Sequence, residues 1–266
     1  MQIKTKLFIL LIFFGISILL TVSIFFNIKS YDVTLLNERA NLEIRAEKFS
    51  KFVSTSLHEK LSLALTLSSS PIIKENLLKS NKTYHSLNKE DSINKIKNLN
   101  ATWMKTSDVN SAFIKKYTNN KVGIFLKEQK KLLEGTYGEI FITNKFGALL
   151  ATTDKLTTFA HGNKYWWKES YNQGKGKIFI DDRGYDESVN GYVIGVVVPI
   201  FDKNKIIGIL KSNINIEGPL TELIQNNEGT HPDKIMLVRS KGLIVSSENI
   251  IPLSKKADTI IIKEWQ

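Results

Sequence analysis

A mainly apolar run without a single charged residue extends from residue 7 to residue 28, near the start of the chain. A helix of that length, rising about 1.5 Å per residue, is about 33 Å long and can cross the hydrocarbon core of a bilayer. Lys4 and Lys6 precede the run, and only Lys29 follows it closely. This asymmetry predicts a single-pass protein of the inner (plasma) membrane, with residues 1–6 in the cytoplasm and the bulk of the chain periplasmic or extracellular.

A cleaved signal peptide is the alternative interpretation of this run. The apolar region of a signal peptide is shorter and ends in a cleavage site of small residues. Here the run ends in Phe25-Phe26-Asn27-Ile28, which offers no such site. We therefore predict a retained transmembrane helix over residues 7–28.

A long helical pattern follows the membrane segment. No proline or glycine occurs between residues 31 and 69, and apolar residues recur there every three or four positions on one helix face. This stripe comprises Leu42, Ala46, Phe49, Val53, Leu57, Leu61, Ala64 and Leu67. It can pack on the rest of the domain, or form the seam of a homodimer, or do both. Ser70-Pro71 ends the long helix, and Pro71 is suited to the first position of a short one.

The remaining pattern changes from helical to extended near residue 135. Residues 76–88 are polar and predict a loop, whereas apolar spacing predicts helices around residues 93–103 and 122–133, the latter closed by Gly135. Five segments then alternate or are rich in Val and Ile: residues 139–143, 148–152, 177–181, 192–200 and 206–214. Their short connections predict an antiparallel sheet in an α+β domain.

An internal similarity suggests a second unit. Residues 138–152 align without gaps with residues 233–247, and both segments read as an apolar run, a polar turn ending in glycine, and a second apolar run. Hairpins of this kind are common, so the similarity alone is weak support for a repeat. We predict a domain over residues 29–216, followed over residues 217–266 by the start of a smaller α+β module.

Composition excludes several classes of function. The chain has no cysteine, so disulfides, thiolate metal sites and a cysteine nucleophile are excluded. The net charge is +11, but the lysines are scattered and arginine occurs only at positions 39, 45, 183 and 239, so we predict no nucleic-acid partner.

Catalytic signals are weak. The four histidines lie far apart in the sequence, and neither a nucleophile elbow nor a phosphate-binding loop is present. We predict no enzymatic activity, no metal and no cofactor. His161 precedes the aromatic residues 165–167, where it could contact a ligand, but we expect it to be exposed in a loop.

Two segments are candidates for a binding site. Tyr165-Trp166-Trp167 begins a predicted helix, and its rings offer walls for a small molecule or a cation. Residues 181–186 read as an acidic loop that includes Arg183. Alternatively, the aromatic residues fill the core and the acidic residues form a solvated turn, in which Arg183 pairs with the acids.

The order of these features resembles the Cache domains of bacterial chemoreceptors, sensor histidine kinases and cyclic-dinucleotide enzymes. The resemblance covers residues 31–216: long helix, hairpin, aromatic helix start, acidic loop, and a hairpin around residues 196–210. Residues 230–247 resemble the start of the membrane-proximal module of a double Cache domain. The resemblance implies a five-stranded antiparallel, PAS-like sheet backed by the long helix, with a small-ligand pocket between the sheet and its covering loops.

The resemblance also implies the ligand-binding residues. In amino-acid-binding members, an arginine, one intervening residue, a tryptophan and a tyrosine open the helix, and a later aspartate takes the ligand's ammonium. Lys164 stands here in place of the arginine and Trp167 in place of the tyrosine; lysine can pair with a carboxylate, but without the bidentate fork. The implied site comprises Lys164, Tyr165, Trp166, Trp167, Asp181, Asp182, Arg183, Tyr185 and Asp186.

These observations predict an extracytoplasmic input module that senses a small ligand (an amino acid, an organic acid or an amine) for a membrane-bound signalling receptor. The effector part of that receptor is expected outside this chain. The alternative is a membrane-anchored extracytoplasmic enzyme or adhesin.

Overall fold

The computed structural model describes residues 3–132, 137–186, 191–215, 236–238 and 244–247. These residues belong to two compact units, residues 1–57 and residues 58–266.

The first long element is helix α1, which extends over Ile3–Ser69. Its apolar part is exposed, and among the described residues α1 is the one helix long and apolar enough to cross a membrane. The helix has the continuity that the pattern of residues 7–69 predicts. Its last turns are buried within the second unit, where Ala64, Leu67 and Ser68 are each less than one-tenth exposed.

Helix α2 spans Pro71–His85, so the prediction of a loop over residues 76–88 is wrong. Proline occupies the first helical position as expected, although the Ser70 side chain makes no capping hydrogen bond. The helix forms because a stripe with helical spacing is buried within a polar sequence. That stripe comprises Ile73, Leu77, Asn81 and Tyr84. Its third member is an asparagine, which hides the periodicity.

Three further helices follow: α3 over Lys89–Lys105, α4 over Ala112–Thr118 and α5 over Lys121–Lys131. Each begins with a side chain that accepts a hydrogen bond from the backbone of its first turn, supplied by Asn88, Ser111 and Asn120. The sequence predicted α3 and α5 but not the short α4. Helix α5 ends at Lys131, and Gly135 lies outside the described residues.

Five strands form one antiparallel sheet, as predicted. They are β1 (Tyr137–Asn144), β2 (Leu149–Thr152), β3 (Phe179–Asp186), β4 (Gly191–Asp202) and β5 (Lys205–Asn215), arranged in the order β2-β1-β5-β4-β3. The turn between β4 and β5 has positive φ at both Lys203 and Asn204, which suits the twist of a tight hairpin.

Strand β3 corrects the prediction of an acidic loop. Its residues pair with β4 from Phe179↔Val197 to Asp186↔Gly191, with one irregularity between Asp181 and Gly184. Pairing with β4 holds this polar segment extended, a tertiary interaction that the local sequence does not reveal.

The two faces of the sheet are packed differently. On one face α2 contacts β5, where the Leu77 side chain lies against Gly208. On the other face lies helix α6 (Tyr165–Tyr171), which follows β2 and contacts β3, β4 and β5. The candidate site lies on this second face.

A separate hairpin joins β6 (Met236–Val238) and β7 (Ile244–Ser247). It falls within the segment that repeats the first hairpin's pattern. The rest of the predicted second module, residues 217–235, 239–243 and 248–266, lies outside the described residues.

Candidate ligand-binding site

Helix α6 carries the aromatic residues that the sequence singled out. Trp166 and Trp167 are both buried, whereas Tyr165 is half exposed and its ring meets the edge of Phe179 at 5.7 Å between centroids. Lys164, at the N-cap position, is exposed and makes no capping hydrogen bond. The helix therefore presents two indoles to the domain interior and one phenol to its rim.

Trp167 fixes α6 to the sheet. Its Nε1 donates a hydrogen bond to Thr143 Oγ1 on β1 at 2.9 Å, and its ring stacks on Tyr171 at 4.6 Å. The hydrogen bond satisfies the polar edge of the indole, and together with the stacking it accounts for the burial of Trp167. Trp166 is left as the indole that faces the polar groups of the site.

A buried ion pair lies beside Trp166. The Lys211 ammonium donates a hydrogen bond to Asp181 Oδ2 at 3.0 Å, and the two side chains are 8% and 9% exposed. The same ammonium lies 4.9 Å from the centroid of the Trp166 ring, within the range of a cation–π interaction. The predicted Asp181 thus has a partner that the sequence analysis missed. A lysine that directly follows the apolar run of residues 206–210 within β5 is the signal that marks it.

Gly195 on β4 makes room for this pair. The strand register places it opposite both Asp181 on β3 and Asn213 on β5. A Cβ atom at this position would lie 2.6 Å from Lys211 Cε and 3.1 Å from Asp181 Cβ. A side chain there would therefore displace the Lys211 side chain from Asp181.

The polar row continues to β1. Asn213 Nδ2 donates a hydrogen bond to Glu139 Oε1 at 2.8 Å, and both residues are buried. Glu139, Asn213, Gly195 and Asp181 are successive cross-strand partners. One row across four strands therefore carries two buried acids and an amide where a packed core would be apolar.

His161 completes the cluster, and the expectation that it is exposed is wrong. It is 4% exposed, with its ring 5.0 Å from Phe141 and 5.5 Å from Trp166 between centroids. Its backbone amide donates to the carbonyl of Gly147 at 2.8 Å, which holds this loop against the β1–β2 turn. Gly147 permits that close approach, since a Cβ there would lie 2.3 Å from the nitrogen of Gly162.

The His161 imidazole is neutral. Burial, together with the nearby charges of Lys164 and Lys211, lowers its pKa to about 3. Its Nε2 has no hydrogen-bond partner among the described residues.

The other predicted residues are more dispersed. Asp182 is exposed on β3, next to the buried Asp181. The backbones of Arg183, Tyr185 and Asp186 belong to β3, while their side chains lie outside the described part of the structure. Within the described residues, no group of three or more His, Asp or Glu side chains is placed to hold a metal ion.

Comparison with known proteins identifies the fold. No protein-family model matches the chain, and no curated protein matches it. The sensor domain of the V. cholerae histidine kinase DctB aligns with a TM-score of 0.52 and 12% identity, covering 81% of this chain and 67% of that one. The sensory domain of the Campylobacter jejuni chemoreceptor Tlp3 aligns with a TM-score of 0.38 and 18% identity, covering 74% of each chain.

The DctB sensor domain shares the overall fold of this chain. Both the element order and the five-stranded antiparallel sheet agree with the Cache-type resemblance of the sequence. The chain therefore has the fold of a histidine-kinase sensor domain, which confirms the Cache-type fold that the order of its sequence elements predicts.

Proposed function

We propose that the chain is the small-ligand-sensing input module of a membrane-bound signal-transduction receptor, with the effector outside this chain. The observation that carries the proposal is the buried cluster of Lys211, Asp181 and His161 beneath Trp166. Buried charges and an unpartnered ring nitrogen lower the stability of the fold. A bound ligand that completes their hydrogen bonds would offset that cost, and this role requires no chemical reaction by the chain.

The proposed organisation follows the chain. Residues 1–6 are cytoplasmic, residues 7–28 span the inner membrane, residues 29–216 form the sensor domain, and residues 217–266 begin a membrane-proximal module. The exposed apolar part of α1 supports the membrane span, since such a surface is stable in lipid and not in water.

The ligand is an amino acid, an organic acid or an amine that contacts Trp166, with Lys164 and Tyr165 at the entrance. Asp181 is the acid on the β3 side of the site, Trp167 anchors α6 to β1, and the contributions of Asp182, Arg183, Tyr185 and Asp186 stay predictions. Ligand binding shifts a population between two packings, so it must favour one of them. The last turns of α1, buried within the same unit as the sheet, are the output element.

Ligand binding by the full chain in lipid nanodiscs tests the proposal. Intrinsic tryptophan fluorescence is titrated with a panel of amino acids, organic acids and amines. Trp166→Phe is expected to abolish the saturable change, whereas Trp103→Phe is expected to preserve it, because Trp103 packs with Tyr117 and Phe159. If no compound of the panel binds, the proposed sensing function is wrong.

We further propose that two chains form a homodimer through the apolar stripe of α1, and cross-linking tests this. The chain contains no cysteine, so a single introduced thiol reports on one position without a background. Val53→Cys on the apolar stripe of α1 is expected to form an intermolecular disulfide in membranes under mild oxidation, and Lys51→Cys, off the stripe, is expected to form little. Equal yields from the two variants would contradict a dimer through this face.

A further inference from the structure

Two polar groups of the site have hydrogen-bonding capacity that the described residues do not use. An ammonium group has three donors, and among the described residues only Asp181 accepts a hydrogen bond from Lys211. His161 Nε2 has no partner there either. Buried polar atoms are almost always hydrogen-bonded, so the unused capacity of these two groups can be completed by another molecule.

The chemical character of each group is defined. The neutral His161 ring carries one proton, on the nitrogen that forms a hydrogen bond with the backbone of Thr158. Its second nitrogen, Nε2, therefore carries a lone pair and can only accept a hydrogen bond. Lys211, in contrast, can only donate. The site therefore offers a cationic donor and a neutral acceptor.

Both groups lie against the same ring. The Lys211 ammonium is 4.9 Å and the His161 ring is 5.5 Å from the centroid of Trp166. Phe141, which pairs with Lys211 across the strands, also contacts His161 at 5.0 Å. One small molecule lying against Trp166 can therefore reach both groups.

We propose that the ligand is a 2-hydroxycarboxylate, whose carboxylate accepts hydrogen bonds from Lys211 while its hydroxyl group donates one to His161 Nε2. This assignment rests on the proposed sensing function and specifies its ligand. An ammonium group in place of the hydroxyl could also donate, but it would lie near the positive charges of Lys211 and Lys164, while Asp181 is already paired. A simple carboxylate would leave Nε2 unpartnered.

Matched ligands test the assignment. Glycolate, acetate and glycine share a carboxylate and differ only in the group on the neighbouring carbon, as do 2-hydroxyisovalerate, isovalerate and valine. Isothermal titration calorimetry of the full chain in nanodiscs gives a dissociation constant for each. The comparison is made within the set of three that has the lower dissociation constants. There the hydroxy acid is expected to bind about fivefold to tenfold more tightly than the simple acid, because it makes one additional hydrogen bond. The amino acid is expected to bind more weakly than the hydroxy acid.

Three variants assign the contacts. His161→Phe keeps a ring against Phe141 and Trp166 but removes the acceptor, so the hydroxy acid and the simple acid should bind equally. Lys211→Met combined with Asp181→Asn removes the pair without leaving one buried charge unpaired, and every carboxylate should bind at least about tenfold more weakly. Lys168→Met, an exposed position on the same helix α6, is the matched control and should leave all affinities unchanged.

The outcomes separate this assignment from the function on which it rests. Equal binding of the hydroxy and simple acids, tightest binding of the amino acid, or a preference that survives His161→Phe overturns the assignment and leaves the sensing function supported. If none of the six compounds binds but another member of the wider panel does, the assignment is likewise overturned and the sensing function is supported. If nothing in either panel binds, both proposals fall.

Discussion

Burying a lysine beside an aspartate removes both charges from water, which costs several kcal/mol for each ion. Lys211 and Asp181 offset that cost through one direct hydrogen bond of 3.0 Å and through the Trp166 ring. The balance depends on both members, since removal of either leaves the other charge buried and uncompensated.

Adjacent aspartates on β3 test this dependence. Asp181→Asn is expected to lower the free energy of unfolding by about 3–5 kcal/mol, because it leaves the Lys211 ammonium without its counter-charge. Asp182→Asn, at an exposed position where interactions are screened by water, is expected to change it by less than about 1 kcal/mol. Denaturant unfolding of the full chain in detergent micelles, followed by near-ultraviolet circular dichroism, measures both. Similar losses in the two variants would contradict the burial of the pair.

The neutral His161 predicts a pH dependence of stability. In the unfolded chain this histidine titrates near its ordinary pKa of 6.5, whereas in the fold the pKa is about 3. Between these values the unfolded chain binds a proton that the folded chain does not, so stability falls as pH falls. The slope is about 1.4 kcal/mol per pH unit between about pH 6 and about pH 4.

His161→Phe is expected to remove that contribution. The difference in unfolding free energy between the wild-type chain and the variant, measured at about pH 7, 6, 5 and 4, should change steadily across the series. His85→Phe, at an exposed position on α2, should show no such change. Parallel pH profiles for wild type and His161→Phe would show that the ring is not buried in its neutral form.

At the scale of elements, helix α2 is joined to the sheet by one buried asparagine. Asn81 Nδ2 donates to the carbonyl of Ile207 at 2.7 Å, and its Oδ1 accepts from the backbone amide of Lys145 at 3.2 Å. One side chain thus connects α2 with both β5 and the β1–β2 turn. That turn is the one against which the His161 loop lies.

Asn81→Ala is expected to lower the free energy of unfolding by about 2–4 kcal/mol, because two backbone groups lose their partner in the interior. Asn76→Ala is the matched control: the Asn76 amide bonds to the carbonyl of Ile72 within its own helix, and a loss below about 1 kcal/mol is expected. Thermal or denaturant unfolding of the full chain distinguishes them. Equal losses would show that Asn81 does not connect α2 to the sheet.

The sequence predicted those elements whose formation depends on local pattern. Strands β1, β4 and β5 follow from alternation and glycine-containing or tight turns, and α6 follows from its aromatic start. Helix α2 escaped because Asn81 occupies a core position, and the end of β3 escaped because only its pairing with β4 makes it a strand. Local propensity predicts secondary structure where the burial of side chains follows a regular pattern, and it fails where tertiary contacts determine the conformation.

The candidate site shows the same division. Trp166 and Asp181 stand out in the sequence by residue type and neighbourhood. Lys211, His161 and Gly195 do not, because their relation to the site depends on strand register and on a loop held against a distant turn. An alternation count along β5 places Lys211 on the same face as Ile209 and Asn213, which is the one hint that the sequence contains.

At the scale of the whole molecule, α1 is the element on which the proposed membrane anchor rests. Its apolar window has a mean hydropathy of 2.9 and is not buried within the fold. The full chain, expressed in a bacterial host, is expected to stay in the membrane pellet after alkaline carbonate extraction. Replacing both Leu19 and Val22 with arginine is expected to release it, because each charge at the centre of a span costs about 2.5–3.5 kcal/mol.

Reporter fusions check the orientation. Alkaline phosphatase joined after residue 31 is expected to be active, since it would be exported, whereas a fusion joined before residue 7 is expected to be inactive. The same two junctions with a fluorescent protein that folds only in the cytoplasm should give the opposite result. An active phosphatase joined before residue 7, together with an inactive one joined after residue 31, would reverse the proposed topology.

The strand order β2-β1-β5-β4-β3 has a consequence for how the domain is made. Strand β1 pairs with β5, so residues about seventy positions apart must meet at the centre of the sheet. Before β5 is added, the growing chain can form only the β1–β2 pair and the β3–β4 pair. Glu139 and His161 then have no sheet in common with Asp181. Closure of the sheet by its last strand is therefore the event that brings the residues of the candidate site together.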